Sequence, residues 1–242
     1  MEKQFEELDY RQTERGELIL RRRKVPMLQD KVVYEVILNG EFLMSSLFHA
    51  AEDALAHLAL AALEAGGEAR PLALVVGGLG LGYTAAAALE HESVGEVRVI
   101  DIFPELIGWH RDGLVPLGAP LRDDPRCRLI EADFFALSAG AGFDADAPGR
   151  RFDGILLDID HTPQHWLHPE HAAFYSEAGL RQVQAHLRPG AVFAMWADRE
   201  PDEGFVQQLG AVFAEAWAEV VRFPNPLTGG EACGTVYLAR TA

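Results

Sequence analysis

The chain has 242 residues, with 21 Lys and Arg against 37 Asp and Glu and a formal net charge of −16. That balance argues against nucleic acid or an anionic membrane as partner and accommodates a cationic small molecule. No apolar run has the length of a membrane span, no basic-then-apolar leader opens the chain, and Cys127 and Cys233 match no metal or redox spacing, so a cytoplasmic protein with two reduced thiols is expected.

In chain order, residues 1–48 read as a small β-strand domain. Strands are predicted over Glu17–Val25 and over Lys31–Leu38, the second closed by an Asn39-Gly40 turn, and Glu41–Ser46 reads as a third. The run Arg21-Arg22-Arg23-Lys24 reads as a solvated strand face or as a partner for nearby acids. Residues 49–242 then alternate helix and strand. A helix is predicted from His49 to Ala65, stopped by Gly66-Gly67. The apolar run Leu72–Val76 reads as a strand buried on both faces, followed by Gly77, Gly78, Gly80 and Gly82 and a helix from Tyr83. Further strands are predicted at Val97–Asp101, Cys127–Asp133, Phe152–Asp160, Ala191–Trp196, Glu219–Phe223 and Gly234–Ala239. Helices are predicted from Pro104, over Ala172–Leu187 and over Phe205–Ala218. The last two strands follow one another without a helix, which predicts a terminal hairpin and one antiparallel strand in an otherwise parallel sheet.

In such a sheet a ligand lies across the carboxyl ends of the strands. The glycine turn permits close backbone approach, and the next strand ends in Asp101, about 20 residues on, the separation at which an acid holds a nucleoside ribose. Asp133 can accept from an adenine amino group with Phe134 against the ring, or it can cap the helix that starts at Phe134. Asp158 and Asp160 end the Phe152 strand and share a face if the strand extends that far. Two such carboxylates can bind an amine and take its proton, or hold a divalent metal.

These features resemble the polyamine aminopropyltransferases, the spermidine synthase family. The segment Gln29-Asp30-Lys31-Val32-Val33-Tyr34-Glu35 is similar to that family's Gln-Asp-x-x-x-Phe/Tyr-Glu, and the glycine turn, Asp101, Asp133, Ala173-Phe174-Tyr175 and Leu187-Arg188-Pro189-Gly190 continue the match. The resemblance implies an S-adenosylmethionine-type Rossmann fold, a mostly parallel seven-stranded sheet with a C-terminal hairpin behind a small β-domain. It implies decarboxylated S-adenosylmethionine as co-substrate, an amine or polyamine acceptor, no metal, and a homodimer. Asp158 stands where the family has its amine-activating acid and is the expected catalytic residue. Gln29, Gly77, Gly78, Gly80, Gly82, Asp101, Ile102, Asp133 and Phe134 are expected at the nucleoside, and Asp160, His161 and Glu52 at the acceptor.

The chain departs from that pattern in the substrate half. Gly80 replaces the acid that would hold the aminopropyl amine, and the family's Tyr-His-Glu is met only by Phe48-His49-Ala50 or Ala51-Glu52-Asp53. The second acid of Asp-Ser-Ser-Asp falls on His161. Two other readings follow. One is an S-adenosylmethionine-dependent methyltransferase, with Asp158, Asp160 and Asp198 around a divalent cation and His161, His165, His168 and His171 crowded nearby. The other is a non-enzymatic protein that keeps a nucleoside pocket.

Overall fold

The structure is a computed structural model that describes residues 4–67 and 70–242; the first three residues of the expected β-domain lie outside the described set. Four antiparallel strands lead the chain: β1 (Phe5–Thr13), β2 (Gly16–Val25), β3 (Lys31–Leu38) and β4 (Glu41–Ser45), paired in sequence order. β1 was not foreseen, because its run FEELDYRQT carries too many charges to read as a strand. Cross-strand pairing explains it: Glu6 stands opposite Arg22, and their side chains meet at 2.7 Å. The alternation of β2 also divides the basic run. Arg21 and Arg23 point to one face and clasp the buried Glu35 of β3 at 2.7 and 2.8 Å, while Arg22 points to the other.

Helix α1 (Ala50–Glu64) leads to a seven-stranded sheet of order β10-β11-β9-β8-β5-β6-β7. Its strands are β5 (Leu72–Gly77), β6 (Val94–Asp101), β7 (Cys127–Glu131), β8 (Phe152–Leu157), β9 (Leu187–Ala197), β10 (Glu215–Asn225) and β11 (Gly230–Arg240). β5 to β9 are mutually parallel, and β11 enters antiparallel between β9 and β10, as the terminal hairpin predicts. The connecting helices are α2 (Tyr83–Leu89), α3 (Pro104–Arg111), α4 (Gly118–Asp123), α5 (Phe134–Ala139), α6 (Glu177–Ala185) and α7 (Glu203–Gly210). This is the mixed sheet of an S-adenosylmethionine-type Rossmann fold with a four-stranded antiparallel sheet ahead of it.

Every residue of β5 is buried because apolar layers cover both sides of the sheet. Leu72, Leu74 and Val76 join a core with α1, α2 and α3, whereas Ala73 and Val75 face a second core holding Phe134, Phe152, Leu180 and Phe205. Leu18, Leu20 and Val36 of the small sheet belong to the first core, and Trp109 of α3 donates its indole N–H to Asp9 of β1 at 2.7 Å. The small sheet is thereby held over the glycine-turn side of the large one.

Several boundaries differ from the sequence reading, among them the strands expected to reach Asp133 and Asp160, which end at Glu131 and Leu157. β9 begins at Leu187, so Pro189-Gly190 lies inside that strand rather than ending a helix before it. The helix predicted over Ala172–Leu187 is a 3-10 turn at Pro169–Ala173 followed by α6, which the Ser176 hydroxyl caps by accepting from the Gly179 N–H. α7 stops at Gly210, and Glu215–Ala218 is already strand, paired residue by residue with β11. Alanine-rich sequence favours helix locally, and sheet pairing overrides that preference. α4 also went unread, since Gly118 and Pro120 lie within its six residues.

Candidate active site

The carboxyl ends of β5, β6 and β8, with the loop after β7, the start of α1, β4 and the β10–β11 hairpin, enclose a cavity of about 720 Å³. Gly78, Gly80, Asp101, Ile102, Asp133, Phe134, Asp158, His161 and Glu52 all line it. Gln29 does not: it is exposed on the 3-10 turn between β2 and β3, in a left-handed conformation that caps that turn. The expected contact of Gln29 with the nucleoside is not supported by this placement.

Gly78 is dictated by close backbone approach and Gly80 chiefly by its left-handed φ. Gly78 has φ +95°, and a Cβ there would stand 2.0 Å from the Asp158 carbonyl oxygen. Gly80 has φ +48°, and its Cβ would stand 1.9 Å from Cε of Met44 on β4. Gly77 and Gly82 answer to packing: the Phe134 ring lies against the first, and Leu121 with His110 against the second.

Asp101 is 7 % exposed and ties the turn to the next strand. Its Oδ2 accepts from the Leu79 N–H and its Oδ1 from the Phe103 N–H, each at 2.8 Å. Burial pushes this carboxyl above its ordinary value, against backbone donors from Phe103, Leu79, Gly80 and Ile102. A carboxylate oxygen has a second lone pair, so these bonds leave acceptor capacity toward the cavity. Asp133 caps α5 through Oδ1, which accepts from Phe135 and Ala136 N–H at 2.9 and 3.1 Å, leaving Oδ2 for a ligand. Cap and base contact are compatible in one side chain. Phe134 is 2 % exposed and stacks on Phe143 with ring centroids 5.0 Å apart, so most of its area serves the core and one side lines the cavity.

Asp158 follows directly after β8, and its N–H donates to the Gly77 carbonyl at 2.7 Å, extending the parallel ladder by one bond. Its Oδ2 accepts from the Thr84 hydroxyl at 2.7 Å. The same hydroxyl lies 3.4 Å from the Glu52 carbonyl oxygen, which places the first turn of α1 beside Asp158. Burial raises the Asp158 carboxyl to about 6, opposed by Thr84 and by the Trp196 indole N–H. That indole nitrogen is buried without a well-formed protein hydrogen bond, so its pull on Asp158 is one of proximity. Glu52 is raised further, to about 8, first by burial and then by the charge of Asp158. Both carboxyls are thus raised by burial, and the two together hold a proton more readily than two separate carboxyls would.

Asp160 does not share the face of Asp158. β8 ends at Leu157, the chain turns, and Asp160 is 2 % exposed on the far side of the loop, outside the cavity lining. Its carboxyl accepts from the Leu167 N–H at 2.7 Å, the Tyr175 hydroxyl at 2.8 Å and His171 Nδ1 at 2.9 Å. Asp160 thus pins the loop whose Leu167, His168 and His171 form one cavity wall. Among the described residues, no group of three or more His, Cys, Asp or Glu side chains is arranged to hold a metal ion. No helix among them is long and apolar enough to cross a membrane.

Sequence reasoning missed Met44, Phe48, Thr84, Trp196 and Phe223 as lining or supporting residues. Two carried a signal: Thr84 as a hydroxyl one residue into the helix behind the glycine turn, and Phe48 as one of the residues that falls against the family's Tyr-His-Glu.

No family model matches this sequence. Solved structures do share its fold. The spermidine synthase from Thermotoga maritima aligns over 98 % of this chain and 73 % of its own, at 18 % identity and a TM-score of 0.69. A spermidine synthase in complex with the transition-state analogue AdoDATO aligns over 98 % and 74 %, at 18 % identity and a TM-score of 0.70. A probable spermidine synthase from Corynebacterium glutamicum ATCC 13032 aligns over 97 % and 79 %, at 15 % identity and a TM-score of 0.63. The likeness spans both sheets, so the chain has the fold of the spermidine synthases in a divergent sequence.

Proposed function

We propose that this protein is a spermidine synthase-like transferase that binds a sulfonium nucleoside and moves an aminopropyl group from it to an amine. The observation that carries the reading is the convergence of Asp101, Asp133, Asp158 and Glu52, from four separate elements, on one cavity. Asp101 and Asp133 each keep acceptor capacity toward that space, which suits a ribose diol and an exocyclic amine. The nucleoside would supply a carbon activated by its bond to positive sulfur. Asp158, held by Thr84, would orient an amine and accept its proton as the nitrogen becomes nucleophilic. Glu52 adds a second carboxyl beside Asp158, and a cationic ligand between them favours the ionised form of both.

Methyl transfer is a second reading, and Met44 favours it. The Met44 thioether covers Gly80, where the family resemblance puts an acid for the aminopropyl ammonium. Calorimetric titration with S-adenosylmethionine, its decarboxylated form and methylthioadenosine tests both. Preference for the decarboxylated donor supports aminopropyl transfer, preference for the carboxylated one supports methyl transfer, and absence of binding by all three overturns the nucleoside reading.

A further inference from the structure

The cavity extends well past the space between Asp101 and Asp133. Beyond Asp158 it runs under the β10–β11 hairpin, between α1 and β9, where its walls are Phe48, Trp196, Phe223 and Leu227. Phe48 and Phe223 approach with ring centroids 6.4 Å apart. The base of this compartment is acidic and the walls are apolar. The buried acid nearby already has its cations, since Glu35 is clasped by Arg21 and Arg23, while Asp198 lies half exposed at the mouth beside Arg199. A diamine reaching into this compartment would bring its second ammonium among apolar walls, where the buried acid is already paired and Asp198 stands only at the solvent-exposed mouth. Burying a charge without a counter-charge is strongly unfavourable, whereas an aromatic body gains from the same walls.

We propose that the acceptor is a primary monoamine with an aromatic body, its ammonium at Asp158 and Glu52 and its ring among Phe48, Trp196 and Phe223. This rests on amine alkylation as the reaction. The amine nitrogen loses one proton to Asp158 and forms a bond to the carbon beside the sulfonium. The carbon–sulfur bond breaks with its electron pair kept by sulfur, leaving a neutral thioether. The product nitrogen remains protonated, and one proton passes through the carboxylate to solvent.

The test is calorimetry with 2-phenylethylamine, tryptamine and 1,4-diaminobutane, each titrated with and without methylthioadenosine, and with 2-phenylethanol as the uncharged control. The expected result is at least tenfold tighter binding of an aromatic amine than of the diamine, and no comparable binding of the alcohol. Phe223→Ala, on a partly exposed hairpin, should lower aromatic amine affinity about tenfold and leave the diamine unchanged. Tighter binding of the diamine, equal binding of the alcohol, an unaltered Phe223→Ala variant or no amine binding at all would each overturn the inference. Aromatic amine selectivity without any methylthioadenosine binding would uphold this compartment and overturn the nucleoside reading. Methylthioadenosine binding with diamine preference would do the reverse.

Discussion

Met44 of β4 lies directly over Gly80, so close that a single added carbon at Gly80 would stand 1.9 Å from the methionine methyl. The contact joins the small sheet to the glycine turn of the large one. It also sets the chemistry of the cavity at that point, because a thioether stands where a carboxylate would attract a cation. Gly80 is therefore constrained twice, by its φ of +48° and by Met44.

Gly80→Ala is expected to destabilise the fold by about 1–2 kcal/mol, chiefly through the left-handed φ, with a smaller part from pushing the flexible end of Met44 aside. Met44→Ala in the same chain should recover part of that loss. A double-mutant cycle in urea measures the coupling, and purely additive effects would mean that Met44 is not the obstacle. In the Met44→Ala background, Gly80→Asp should raise affinity for the decarboxylated donor relative to methylthioadenosine.

Removal of the Asp101 carboxyl should affect both stability and binding. Asp101 accepts from Leu79 and Phe103 in a buried setting. Asp101→Ala leaves two N–H groups without partners, at a cost of about 1–3 kcal/mol for each that stays dry. Asp101→Asn keeps one acceptor oxygen and should be milder. Thermal unfolding together with methylthioadenosine titration separates the two roles, and an Asp101→Ala variant with unchanged stability would contradict the anchoring role.

Glu52 makes stability depend on pH in a defined direction. Its carboxyl is raised by burial and by Asp158 from 4.5 to about 8, so the folded state holds a proton that the unfolded state releases above 4.5. Stability tied to Glu52 is full below that point and is lost progressively as pH climbs toward 8. Glu52→Gln removes the penalty and should raise Tm at pH 8 but not at pH 4. Each 1 kcal/mol relieved corresponds to roughly 2–4 °C in a chain of this size. An equal Tm difference at both pH values would refute the assignment.

Asp158 and Asp160 should separate in kinetics. Asp158→Asn keeps shape and removes the proton acceptor, so turnover should fall by roughly 10²–10⁴-fold while nucleoside affinity holds. Asp160→Asn loosens the loop of Leu167 and His171 and should act chiefly through KM and through faster hydrogen exchange across residues 161–171. Loss of turnover on Asp160→Asn with Asp158→Asn near normal would reverse the roles.

The sequence by itself determined the parts of this protein that depend on local pattern. The apolar run of β5, the glycines that follow it, the acid at the end of β6, the Asn39-Gly40 turn and the helix-free link between β10 and β11 are legible because backbone geometry and burial restrict residue type over a few positions. That was enough to read the class of the sheet and to expect Asp101, Asp133 and Asp158 at the carboxyl ends of its strands, where they line one cavity. Tertiary structure alone decided the rest. Asp158 and Asp160 are two residues apart, yet only one faces the cavity, since β8 ends at Leu157 and Tyr175 and His171 draw the other away. Gln29 matches a family segment in sequence and still sits outside, because the position of a hairpin turn depends on how one sheet packs on another. Met44 and Phe48 lie in β4 and just after it, Trp196 in β9 and Phe223 in β10, and no periodicity within these segments records that they line one cavity.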